Sequence, residues 1–131
     1  MARYGDAAVL ATSIVQIAKV SSPEEAWKLA VAKVCPDSVS SQKKGCPKGA
    51  YLGLCEEGLV KGIPAGSYTK SVHNKKYALR AVSLLRSEPS LSGSVKNLWD
   101  RVQDIDGEGK APNGQIDVVL ALWQKGLLRK I

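Results

Sequence analysis

The sequence predicts an all-α fold: about six helices in one compact domain, arranged as a three-helix unit used twice. Three observations lead there. Apolar residues recur at helical spacing. Capping signatures mark where helices start and stop. The C-terminal stretch NGQIDVVLALWQKGLLRKI echoes the central GCPKGAYLGLCEEGLVKGIPAG. With Gly58 set over Gly126, Leu52, Leu54, Leu59 and Ile63 fall on Leu120, Leu122, Leu127 and Ile131, Val60 falls on Leu128, and Lys61 on Arg129. Trp27 precedes Gly58 as Trp99 precedes Gly126, with a shorter connecting loop in the second copy. The repeats are expected at about 1–66 and 67–131. Units of that size are marginal alone, which favours one shared core.

The first helix is expected from Tyr4 to Lys19, with Leu10, Ile14 and Ile17 on one face. Ser22-Pro23-Glu24-Glu25 starts the second: Ser22 caps, Pro23 takes the first helical position, and Glu25 completes a capping box. This helix ends before Cys35-Pro36, since proline disfavours a helical residue ahead of it. A polar loop follows. Pro47 is expected to open the third helix, with Cys46 as its N-cap, and Gly58-Leu59 to end it; Gly126-Leu127 repeats that stop. A short β-turn or hairpin is expected over residues 59–70, around Pro64 and Gly66. Ser71 or Asn74 caps a fourth helix ending near Pro89. A fifth runs from Ser94 to Gln103 around Trp99, and the last from Gly114 to Lys125.

No apolar run approaches the roughly 20 residues of a membrane span, so no membrane association is expected. The N-terminal stretch reads as an amphipathic helix and not as a signal peptide, because Asp6 heads its apolar run and no small-x-small cleavage site follows. Cys35, Cys46 and Cys55 are odd in number and irregularly spaced, which does not suit a secreted disulfide framework. A cytoplasmic protein is the expectation. The formal charge is +7, and it is unevenly spread. Lys43, Lys44, Lys48, Lys61, Lys70, Lys75 and Lys76 cluster in the middle of the chain against Asp37, Glu56 and Glu57. Such an excess attracts phosphorylated or polyanionic partners.

Two features bear on chemistry. Cys46 at a helix N-terminus, among Lys43, Lys44 and Lys48, is a candidate nucleophile, because free amides and the helix dipole favour an anion there. The only histidine, His73, is expected in a different loop and supplies no evident base. The second feature is a pair of loops, SSQKKGCPKG and SYTKSVHNKK, each combining hydroxyls with lysines and each leading into a helix. Ser41, Lys43, Lys44, Lys48, Ser67, Thr69, Lys70, Lys75 and Lys76 form a candidate phosphate cradle. Neither loop has the Walker spacing.

Other motifs fall short. Cys35, Cys46, Cys55 and His73 match a zinc ligand count but lack the close paired spacing, so no metal is expected. Asp104-x-Asp106-x-Glu108-Gly109 begins like a calcium loop, but Gln115 stands where the bidentate glutamate belongs and Pro112 sits at the ninth position. A winged-helix reading of residues 52–71 meets a connection too long for helix-turn-helix and a helix carrying Glu56 and Glu57.

The central motif, together with NGQIDVVLALWQKGLL, PEEAW and KKYALRAV, resembles a small bacterial family of uncharacterised helical domains along the full length. The resemblance implies a compact stand-alone domain and assigns no activity, cofactor or site residue. The expected function is therefore a non-enzymatic, cofactor-free binding protein contacting a phosphate-bearing partner such as nucleic acid. The alternatives are an interaction or oligomerising module using Leu59, Val60, Ile63, Leu127, Leu128 and Ile131, and a thiol-dependent enzyme or redox-sensitive protein using Cys46.

Overall fold

A computed structural model describes residues 3–17, 22–103 and 114–129. Among these, helices dominate: α1 (Arg3–Gln16), α2 (Pro23–Val34), the single turn α3 (Val39–Gln42), α4 (Gly45–Glu56), α5 (Val72–Ser87), a 3₁₀ turn (Pro89–Gly93), α6 (Val95–Gln103) and α7 (Gln115–Gln124). The six longer helices are those the periodicity predicts. No strand forms among the described residues.

The starts follow capping chemistry. Ser22 Oγ accepts from Glu25 N–H at 3.2 Å with Pro23 at the first helical position of α2, as expected. Ser94 does the same for α6 through Asn97 N–H. Ser71 stands at the N-cap of α5, but its hydroxyl accepts from the Asn74 side-chain Nδ2 at 2.8 Å and not from a backbone N–H. Three expectations change. The polar loop contains α3, because Ser38 Oγ captures Ser41 N–H and nucleates a turn. The third helix, α4, opens at Gly45 with Lys44 at the N-cap, two residues before Pro47. Pro47 costs nothing there, since the first helical amides have no partner within the helix. α1 ends at Gln16, earlier than Lys19, and residues 18–21 lie outside the described set.

The stops repeat to the hydrogen bond. Gly58 has φ +73° and Gly126 φ +69°. Leu59 N–H donates to Leu54 O at 3.1 Å, and Leu127 N–H donates to Leu122 O at 2.9 Å. Glycine tolerates this left-handed conformation without a Cβ clash. The residues that follow form no local hairpin. Val60 instead pairs with Leu128 in an isolated antiparallel bridge. Lys61 N–H donates to Leu127 O at 2.8 Å and Arg129 N–H to Leu59 O at 2.7 Å. The only local turn there closes from Ile63 N–H to Val60 O, upstream of Pro64 and Gly66. Two tails with the same apolar pattern bury each other, which a local hairpin leaves undone.

α4 and α7 form the centre. α4 buries Pro47 and every residue from Gly49 to Cys55, and α7 buries Ile116, Val118, Val119, Leu120 and Leu122. They pack on each other, with α1 against α2 and α7, and α5 against α4 and α6. Trp27 stacks on Tyr51 at 5.3 Å between ring centroids, and Trp99 meets Tyr77 edge-on at 5.2 Å. Thr12 resolves a buried polar conflict: its hydroxyl donates to Ala8 O and meets Tyr51 Oη at 2.9 Å. The Tyr51 hydroxyl thus finds a partner in the core, as burial requires.

Candidate functional site

Gly49 and Gly53 let α5 lie directly on α4. A Cβ on Gly49 would come within 2.7 Å of Ser71 Oγ, and one on Gly53 within 2.8 Å of Lys75 Cα. This close approach carries the first turns of α5 across the middle of α4, beside the carboxylates at its C-terminal end. Lys75 Nζ lies 2.5 Å from Glu56 and 2.8 Å from Glu57. The hydrogen bonds to Glu56 and then Glu57 raise the Lys75 ammonium above the ordinary lysine range.

Glu56 organises the neighbouring loop. Its Oε1 accepts Tyr68 N–H at 2.8 Å and Thr69 N–H at 3.1 Å, while Oε2 takes the Lys75 ammonium. The Lys75 hydrogen bond, then the two amides, hold its carboxyl down at about 2. A second tie joins Gly66 N–H to Glu56 O at 3.1 Å. The second basic loop is therefore fixed to α4 by a single glutamate.

Beside a depression of about 710 Å³ between Ser67, Tyr68 and α2, two adjoining depressions that share Thr69 and Lys70 flank this loop. The larger of these two, about 640 Å³, is lined by Glu56, Thr69, Lys70, Ser71, Val72, Lys75, Lys76, Leu79 and Arg80. The smaller, about 410 Å³, is lined by Glu24, Lys48, Leu52, Ser67, Tyr68, Thr69 and Lys70. Thr69 and Lys70 belong to both, so the two read as one continuous groove. Its α5 wall is Val72, Lys75, Lys76, Leu79 and Arg80, an amphipathic face at helical spacing. Val72 is 72% exposed. Arg80 Nε is buried without a hydrogen-bond partner.

The groove gathers Lys48, Ser67, Thr69, Lys70, Lys75 and Lys76 of the sequence-derived cradle. It does not gather Ser41, Lys43 or Lys44. Ser41 is held locally, its hydroxyl accepting from Ser38 Oγ and its carbonyl from Tyr4 Oη. Lys43 follows α3, and Lys44 precedes α4. Lys48, expected in the first basic loop, lies in the first turn of α4 and pairs with Glu24 at 3.7 Å. The sequence reading missed Val72, Leu79 and Arg80, although their spacing from Lys76 places them on one helical face. Glu56, counted in the sequence against a winged helix, is neutralised by Lys75 and holds the loop amides.

Cys46 is the second helical residue of α4, half-buried, and not its N-cap. His73 is in the first turn of α5, not in a loop. Cys35 and Cys55 are buried, and burial pushes the Cys55 thiol up to about 12. Among the described residues no three His, Cys, Asp or Glu side chains gather as a metal site requires. The calcium-like residues Asp104, Asp106 and Glu108 lie outside the described set. α4 is enclosed along most of its length, which removes it as a DNA-reading helix. Leu59, Val60, Ile63 and Leu128 are buried within the chain, so these parts of the tails present no open oligomerising face; Ile131 lies outside the described residues. Among the described residues no helix is long and apolar enough to cross a membrane.

A family model of unknown function, DUF6979, matches residues 1–129. The chain belongs to DUF6979. That membership covers nearly the whole sequence and brings no activity with it. No curated protein and no solved structure matches the chain. The groove of this DUF6979 chain therefore has to be read from its own chemistry.

Proposed function

We propose that this protein is a non-enzymatic binding protein that holds a phosphate-bearing partner, nucleic acid included, in the groove between the 67–70 loop and α5. The observation that carries this reading is that Lys48 of α4 lines one depression and Lys76 and Arg80 of α5 line the adjoining one, with Thr69 and Lys70 common to both.

Amide chemical shifts recorded at low ionic strength while pyrophosphate or short oligonucleotides are added test the proposal. Shifts centred on Thr69 to Lys76, weakened by salt and abolished in Lys70→Glu, are expected. Unmoved groove amides at low salt would sink it.

We also propose that the protein works in the cytoplasm, a reading supported by its three unpaired thiols. We further propose that residues 1–66 and 67–131 are copies of one unit. Equivalent hydrogen bonds support this: Gln16 Nε2 donates to Lys61 O at 3.0 Å, and Arg86 Nη2 donates to Arg129 O at 2.6 Å. Each is the last turn of a first helix gripping the tail of its own half, and the tail bonds themselves interchange under the same correspondence.

A further inference from the structure

We infer that the ligand of this groove is a small amphipathic anion, one phosphate head carrying an apolar body, and not an extended polyanion. The inference rests on the site proposed above and narrows its ligand. The α5 wall sets two apolar side chains, Val72 and Leu79, between cations. Val72 is 72% exposed although it faces the cavity, so the mouth of the groove offers apolar surface that phosphates alone do not use. The cations are also confined. Glu24 faces Lys48 at one end of the groove, and Glu56 and Glu57 hold Lys75 on its α4 side. An extended nucleic-acid backbone needs a continuous positive track, and these carboxylates interrupt it. Lys70 pairs with no carboxylate among the described residues. Arg80 lacks an acceptor at Nε, and a turn of its side chain presents the guanidinium fork to an anionic oxygen. The arrangement provides for one head group near Lys70 and Arg80, with an apolar body along Val72 and Leu79.

Calorimetric titration of the intact protein with monomeric octyl phosphate, inorganic phosphate and octanol reads this directly. Octyl phosphate is expected to bind about tenfold or more tighter than inorganic phosphate, because several methylenes leave water. Octanol is expected to show no saturable binding. Val72→Asp changes an exposed residue at a position where helices favour acids, so the fold is kept while octyl phosphate binding is lost. Equal affinity for octyl and inorganic phosphate overturns the inference and leaves the phosphate site standing, whereas no binding of either removes both. Tighter binding of single-stranded oligonucleotides than of octyl phosphate, or binding only to anionic lipid vesicles, also overturns it.

Discussion

Glu56 illustrates how much one side chain settles in this protein. Its carboxylate satisfies two loop amides and one ammonium while only 15% exposed. Replacing it with alanine leaves those amides without an acceptor, a loss of about 1–3 kcal/mol. The expected result is a lower urea midpoint together with faster amide exchange at Tyr68 and Thr69. The pH dependence has a definite sign. The folded carboxyl titrates at about 2, below its ordinary value. Its stabilisation is therefore complete above the unfolded pKa of about 4.3 and disappears as pH falls through the folded value. Tyr68 and Thr69 amide shifts followed through acid should have a midpoint near 2; a midpoint in the ordinary glutamate range contradicts the geometry. The cysteines give a second prediction. Cys46 is half-buried while Cys35 and Cys55 are enclosed. A thiol reagent should modify one cysteine per folded chain quickly and the other two only on unfolding.

Among the elements, the glycines of α4 and the two helix stops have different duties. Gly53→Ala would add helix propensity of roughly 0.5–1 kcal/mol. The new methyl would lie within 2.8 Å of the Lys75 backbone, so α5 must move away. Overpacking of that kind costs about 1–3 kcal/mol. A net loss of thermal stability and a displaced Lys75–Glu56 pair are expected. At the stops, Gly126 has open space around its Cβ direction, while Gly58 faces Ala65 Cβ at 3.3 Å. Alanine at Gly126 should cost only the left-handed strain of about 1–2 kcal/mol, and alanine at Gly58 should cost more. Parallel chemical melts of the two variants check the order. The helices themselves were legible because capping serines and the Gly-Leu stops are local chemistry. The start of α4 was misread because Pro47 is tolerated inside a first turn as well as at its head. α3 was missed because a four-residue helix has no periodicity to detect.

In the whole molecule, the halves are interlocked. α1 packs on α7 and α5 packs on α4, so each first helix leans on the last helix of the other half. The tail bridge between Val60 and Leu128 adds a further exchange. A peptide of residues 1–66 or 67–131 alone should therefore show little helical circular dichroism, and mixing the two should restore it. Stable, cooperative folding of either peptide by itself would contradict the shared core.

The sequence by itself determined the fold class, the six longer helices and the paired glycine stops, since all depend on residues within a few turns of one another. It also located the basic excess and half of the groove. Only the tertiary structure decided that Ser41, Lys43 and Lys44 stand apart from it, and that Val72, Leu79 and Arg80 complete it. The tails pair across the molecule and the loop hangs from Glu56 for the same reason. Those contacts join residues far apart in the chain through close helix packing and backbone hydrogen bonds, and neither leaves a mark in local periodicity.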